Sequence, residues 1–241
     1  MRLGRIGFWY RLAVTLLKPL MLLLTKRTWL GFDNVPPTGG VILAANHISY
    51  VDPIVLGDAI AFSTKRMPKY LAKASLFKGN GIVGRTMRGS GQIRVHRNTA
   101  DASAALSDAV EALHRGELVA IYPEGTVTRD PGKWPMQART GVARLALLSG
   151  APVIPVAQWG AQQIHDSYRT KGWHLLPRHA VTVQAGPAVD LDEFRGRELS
   201  SEVLHGATDR IMAAIRDLLE GIRGEVAPTE ITPAPQQKES A

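Results

Sequence analysis

Short apolar runs alternate with helical patterns through the middle of the chain. Runs at residues 41–46, 70–72, 92–95, 118–122, 153–159 and 181–185 have the length of strands, and several stop where polar residues begin. Between them, residues 99–115 set Leu106, Val110 and Leu113 at helical spacing behind Asn98, a suitable N-cap. Residues 142–148 read as a second helix stopped by Gly150. Residues 200–223 repeat Val203, Leu204, Ala207, Ile211, Ile215, Leu218, Leu219 and Ile222, a stripe that predicts a long helix covering one face of a sheet. Strands alternating with crossover helices predict an α/β fold with a mixed, largely parallel central sheet flanked by helices.

The two ends break this rhythm. Residues 1–32 interleave Phe8, Trp9, Leu12, Leu16, Leu17, Leu20, Leu22, Leu23, Leu24 and Trp29 with Arg2, Arg5, Arg11, Lys18, Lys26 and Arg27, and contain no acidic residue. A membrane-spanning helix needs ~20 largely apolar residues, whereas the longest uncharged stretch here is 19–25. Arg11 and Lys18 also cut the apolar region that a secretory signal would need. Residues 1–30 are therefore expected to form one or two short helices, broken near Pro19, that lie in the membrane interface. Residues 31–224 would form the folded domain. Residues 225–241, rich in Pro, Gln, Thr and Glu, are expected to be a disordered tail.

Composition narrows the function. At 241 residues and 45% hydrophobic, the chain can bury a sizeable core. The absence of Cys excludes a disulfide scaffold, a thiolate metal site and a Cys nucleophile. Lys and Arg outnumber Asp and Glu by 29 to 21, which points to anionic partners: nucleic acid, a phosphorylated substrate or an acidic membrane. From Ala59 to Arg97 no acidic residue occurs, while Lys65, Arg66, Lys69, Lys73, Lys78, Arg85, Arg88, Arg94 and Arg97 do. Mixed with Phe77, Ile82, Val83 and Met87, these cations suggest a surface facing phosphates beside hydrocarbon. A nucleic-acid module would interleave more aromatics, and residues 65–97 hold only Tyr70 and Phe77.

Three polar segments could carry chemistry. Asn46-His47-Ile48-Ser49-Tyr50-Val51-Asp52-Pro53 puts a histidine at the end of a buried strand and an aspartate five residues on. Sites in open α/β sheets lie at such carboxyl ends. A His47–Asp52 contact needs a tight turn, which Ser49 and Pro53 make feasible; a carboxylate on one imidazole nitrogen would leave the other as a general base. A histidine bonded only for stability fits the spacing equally well. The second segment is Pro123-Glu124-Gly125-Thr126, where a strand runs into a turn offering N–H groups and a hydroxyl, and Glu124 could hold a cation in place. In the third, Gly91 to Arg97, strand alternation puts Arg97 on an apolar face, so its partner would be Glu124 or a substrate phosphate. His165, Asp166, His174 and His179 are scattered candidates for a metal-dependent hydrolase.

Taken together these segments resemble the glycerolipid acyltransferase family, which includes the 1-acylglycerol-3-phosphate acyltransferases. Its four blocks appear in order: Asn46-His47-x-Ser49-x-x-Asp52, Gly91-x-Ile93-x-x-x-Arg97, Pro123-Glu124-Gly125-Thr126 and Val153-Ile154-Pro155-Val156. The resemblance runs from about Phe32 to Pro187. It implies a catalytic His47–Asp52 pair and an acceptor phosphate bound through Arg97, Glu124, Gly125 and Thr126. The donor would be acyl-CoA or acyl carrier protein and the acceptor a lysophospholipid, foremost 1-acylglycerol 3-phosphate to give phosphatidic acid, with glycerol 3-phosphate or another lysolipid as the alternative. No metal or cofactor is implied, and the implied location is the cytoplasmic face of a cell membrane. Many members place Arg directly after the third block's Thr; here Val127 stands there, and Arg129 could reach back in its place. Ser49 would be the nucleophile of a Ser-His-Asp alternative, but its position two residues from His47 suits a cap better.

Overall fold

The computed structural model describes residues 15, 18–19, 21–95, 101–168 and 172–235. Its strands are β1 (Thr25–Leu30), β2 (Val41–Ala45), β3 (Pro68–Lys73), β4 (Ile93–Val95), β5 (Leu118–Ile121), β6 (Val153–Trp159) and β7 (His179–Ala185). They form one sheet in the order β1-β7-β6-β2-β5-β3-β4. Strands β6, β2, β5, β3 and β4 are parallel; β7 runs antiparallel to β6, and β1 is parallel to β7. The helices are α1 (Asp52–Thr64), α2 (Ile82–Gly89), α3 (Asp101–His114), α4 (Gly141–Ser149), α5 (Ala161–Ile164) and α6 (Ser201–Arg223). The mixed, largely parallel sheet flanked by helices is thus present.

Strand β2 shows why the sheet is layered on both sides. Its five residues, Val-Ile-Leu-Ala-Ala, carry no polar side chain and none is exposed. Val41, Leu43 and Ala45 face the layer containing Val55, Leu56 and Ile60 of α1. Ile42 and Ala44 face the layer of Ala109, Leu113, Leu145, Ile211 and Ile215 from α3, α4 and α6. A strand buried on both faces must read as a continuous apolar run, and each fully buried Ile or Leu contributes ~1.5–3 kcal/mol. Helix α6 follows the expected pattern at both ends: Ser200 Oγ accepts from Val203 N at 3.3 Å, and Gly224 closes it at φ 65°.

Both ends of the chain correct the expectation. Residues 25–30 are a strand, in register with β7 from Thr25–His179 to Leu30–Gln184. Arg27, expected on lipid phosphate, pairs with Asp58 of α1 at 2.7 Å. Residues 21–24 are helical, with Met21 and Leu24 buried and Leu22 and Leu23 exposed. The rest of the proposed interfacial segment, residues 1–14 included, falls largely outside the described residues. At the other end, residues 225–235 lie along the domain: Ala227 N donates to Glu220 Oε1 at 2.8 Å, Gln137 N to Thr232 O at 3.0 Å and Thr232 Oγ1 to Asp130 Oδ1 at 2.6 Å. Low complexity there does not mean an unattached chain, because the loop beneath supplies the hydrogen bonds.

The basic zone is also partly structural. Arg66 donates to the carbonyls of Pro36, Gly39 and Gly116, Lys69 pairs with Glu117 at 2.6 Å, and Arg88 bonds the carbonyls of Phe77 and Gly79. Phe77, expected on a lipid-facing surface, is 5% exposed and lies under the Arg94 guanidinium, 4.9 Å from its ring centre.

Candidate active site

The carboxyl ends of the adjacent strands β2 and β5 release two turns side by side, and His47 leaves the first of them. Its exit is set by Asn46, which extends the pairing of β2 with β6 through its side chain. Gln158 N donates to Asn46 Oδ1 at 2.8 Å, Asn46 Nδ2 to Gln158 O at 3.0 Å and Gln158 Nε2 to Asn46 O at 2.7 Å. All three bonds are buried, where a polar side chain without partners would be costly.

The five-residue spacing closes because Asp52 opens α1 and reaches back over the turn. Its Oδ2 accepts from Ile48 N at 2.6 Å, Ser49 N at 2.8 Å and His47 Nδ1 at 2.8 Å. The aspartate is fully buried, and its Oδ1 has no hydrogen-bond partner. Three donors converging on one oxygen suit an ionised carboxylate, which accepts only; with it the proton sits on Nδ1 and Nε2 keeps its lone pair. On one face the imidazole stacks against Tyr122, ring centres 4.2 Å apart. Burial pushes the Tyr122 hydroxyl well above its ordinary range, with Tyr70 and Asp52 adding to the shift and Gln158 opposing it. Tyr122 therefore stays neutral beside the pair. Sequence reasoning passed over Tyr122, although it directly precedes Pro123.

The second turn holds the first. Glu124 Oε1 accepts from His47 N at 2.9 Å and Oε2 from Met136 N at 3.0 Å. Thr128 N closes the contact by donating to His47 O at 2.7 Å. Glu124 is 1% exposed. Burial raises its pKa to about 8, opposed by the N–H bonds from Met136 and His47 and assisted by Asp52 and Asp130. Each of its oxygens thus accepts from the backbone of the site, where the sequence suggests a phosphate or a held cation. The Gly125 N–H, expected to face a phosphate, donates to Tyr122 O at 2.9 Å. Glycine is favoured here by a φ of 71°, in the left-handed region. Thr126 is half-buried beside it. Arg139 is a cation at this turn that the sequence did not single out.

Val127 is 1% exposed, so the position after Thr126 points into the core. Arg129 is exposed, with its guanidinium 5.8 Å from the Tyr168 ring centre. With Thr128, Asp130, Pro131, Lys133 and Tyr168 it lines a cavity of about 430 Å³ beside the His47 turn. Lys133 in its wall is paired with Asp166 at 2.8 Å. Arg97 lies outside the described residues. Ser49 is occupied elsewhere: its Oγ donates to His165 O at 2.7 Å and accepts from Val51 N at 3.1 Å, as a turn cap would. Among the described residues no group of three or more His, Cys, Asp and Glu could hold a metal ion. Of the scattered candidates, Asp166 is taken by Lys133, and His179 Nε2 sits 2.8 Å from the His174 carbonyl.

The model of the acyltransferase family matches residues 27–159, more than half of the chain and all four blocks. This chain belongs to that family. The acyltransferase is 27% identical over 148 residues to a 1-acyl-sn-glycerol-3-phosphate acyltransferase of Bacillus subtilis, covering 60% of this chain and 68% of the relative. It is 31% identical over 175 residues to a protein of the same name from Borreliella burgdorferi, covering 71% of this chain and 66% of the relative. Its fold is that of the 1-acyl-sn-glycerophosphate acyltransferase of Thermotoga maritima, with a TM-score of 0.66 and 22% identity, covering 88% of this chain and 78% of the other. Among its described residues no helix is long and apolar enough to cross a membrane.

Proposed function

We propose that this acyltransferase moves a fatty acyl group from an acyl thioester, acyl-CoA or acyl carrier protein, to the free hydroxyl of 1-acylglycerol 3-phosphate, giving phosphatidic acid. The observation that carries the reading is the His47 Nδ1 to Asp52 Oδ2 bond of 2.8 Å, built on a carboxylate that backbone N–H groups hold in place. The names of the relatives support the acceptor. His47 Nε2 takes the proton of the acceptor hydroxyl as its oxygen attacks the thioester carbonyl. The imidazolium formed is stabilised by Asp52 and returns the proton to the leaving thiol as the tetrahedral intermediate collapses. General-base help of this kind contributes ~10²–10⁴-fold, and no enzyme nucleophile is required. Arg129, and Arg97 from the second block, would bind the acceptor phosphate, with the cavity beside His47 receiving the headgroup. Both substrates meet at a membrane surface, on the cytoplasmic face where acyl thioesters are made.

The test is product analysis with purified protein in lipid, labelled acyl-CoA or acyl carrier protein, and a panel of acceptors. Phosphatidic acid formed preferentially from 1-acylglycerol 3-phosphate is expected. Preferential acylation of glycerol 3-phosphate, or of a lysolipid without a terminal phosphate, would overturn the acceptor assignment.

A further inference from the structure

Between Asp166 and Asp190 the sequence has no acidic residue, and Tyr168, Trp173, Leu175 and Leu176 stand there among Arg169, Lys171 and Arg178. In the structure residues 172–178 of the α5–β7 loop are all exposed, Trp173 to 60% and Leu176 to 78%. Soluble surfaces seldom gather large apolar side chains in this way without a partner. The base of the loop is fixed to the catalytic turn: His165 O accepts from Ser49 Oγ at 2.7 Å, and Tyr50 N donates to Ser167 Oγ at 3.0 Å. Trp173 meets His165 edge-on at 4.8 Å, and the exposed Tyr50 does so at 6.0 Å. On the other side Arg178 donates to the carbonyls of Leu22 and Thr25 at 2.9 and 2.7 Å, next to the exposed Leu22 and Leu23. The apolar patch therefore continues from the N-terminal segment to the rim of the active site.

We propose that residues 172–178 are a second lipid-contacting finger, with Trp173, Leu175 and Leu176 entering the headgroup boundary of an anionic leaflet. Trp prefers that depth, and the one-sign charge is complementary to it. Anchored at Ser49 and Tyr50, the finger sets the height of the His47–Asp52 turn above the bilayer. The proposal needs a membrane surface but no particular acceptor.

The chain has no Cys, so an L176C variant carries a single thiol for an environment-sensitive fluorophore. L148C is the control, because Leu148 is exposed near the end of α4, just before the chain turns into the amino end of β6. With phosphatidylcholine–phosphatidylglycerol vesicles, the probe on L176C should shift to the blue and be quenched by lipids brominated high on the acyl chain, while that on L148C does neither. L176S should partition at least about tenfold more weakly into these vesicles, with turnover of a water-dispersed short-chain acceptor unchanged. Vesicle binding without a shift at L176C, or unchanged partitioning of L176S, would overturn the proposal. A concentration-dependent shift without vesicles would overturn it too, by making a second copy of the chain the occupant. A wrong acceptor assignment would alter turnover of the unmodified protein and leave the probe readings as they are.

Discussion

Replacing Asp52 with Asn isolates the charge of the proposed catalytic pair. Two backbone donors, Ile48 N and Ser49 N, converge on Oδ2 at 2.6 and 2.8 Å, and Oδ1 has no partner. An asparagine will therefore put its carbonyl oxygen where Oδ2 stands and its amide nitrogen where Oδ1 stands. His47 Nδ1 keeps an acceptor and the imidazole keeps its tautomer. What disappears is the negative charge facing the imidazolium of the transition state. With charge centres ~4 Å apart and an effective dielectric of ~20 the attraction is ~4 kcal/mol, of which a neutral hydrogen bond retains ~1 kcal/mol. A loss of ~2–3 kcal/mol is a fall in kcat of about 30- to 150-fold. His47→Ala, which removes the base itself, should lose ~10²–10⁴-fold. The assay is turnover at saturating donor and acceptor for both variants, with circular dichroism and thermal midpoints to show that each is folded. If Asp52→Asn falls as far as His47→Ala, the amide has turned and the argument from converging donors fails. If Asp52→Asn is fully active, the carboxylate charge plays no part in transfer.

Ser49→Ala should retain turnover within about tenfold while losing ~1–3 kcal/mol of stability in urea unfolding, because the hydroxyl bonds His165 O and Val51 N; trapping of an acyl-Ser49 adduct would restore it as a nucleophile. Glu124→Gln puts an NH₂ against either His47 N or Met136 N, so kcat should fall with acceptor KM unchanged, whereas a rise in KM alone would return Glu124 to phosphate binding. Glu124 also carries a pH signature: with a folded pKa of about 8 against 4.5 unfolded, the native state holds a proton that the unfolded chain has shed. Stability should then fall as pH rises from about 5 to 8, by about 1 kcal/mol per unit, and urea titrations of Glu124→Gln should lack that slope. Arg129→Ala should raise acceptor KM about tenfold or more and leave donor KM alone; equal effects on both would move the phosphate away from this cavity. Gly160→Ala should destabilise by several kcal/mol in thermal unfolding, since φ is 107° and a Cβ would lie 2.0 Å from Ala180 O; an unchanged midpoint would refute the close approach of β6 and β7.

What was legible in the sequence was whatever depends on local pattern. Runs such as 41–46 and 153–159 have to be apolar on both faces because the centre of a parallel sheet is covered on both sides, so they announce themselves. The periodic stripe of α6 and its Ser200 and Gly224 caps are equally local. Edge strand β1 was missed because Thr25–Leu30 follows a leucine-rich helical run, and only β7, some 150 residues away, supplies its hydrogen bonds. Helix α1 was legible only at its start, near Ser49 and Pro53, and α2 went unmarked because it lies within the basic zone.

The sequence by itself determined which residues stand as candidates for the chemistry. His47 and Asp52 sit at a strand end because an apolar strand must stop where polar groups begin. Only the tertiary structure decided what the neighbouring residues do. Glu124 reads as an anion in a basic chain, yet folding brings its two oxygens onto the N–H groups of His47 and Met136 and makes it a clamp. Val127 and Arg129 differ in burial because the loop from 122 to 140 folds over the site, held by Asp130, which accepts from Trp134 N at 3.0 Å and from Thr232 Oγ1 at 2.6 Å. Hydrogen bonds and burial are made between segments far apart in the chain, and no spacing rule within one segment encodes them.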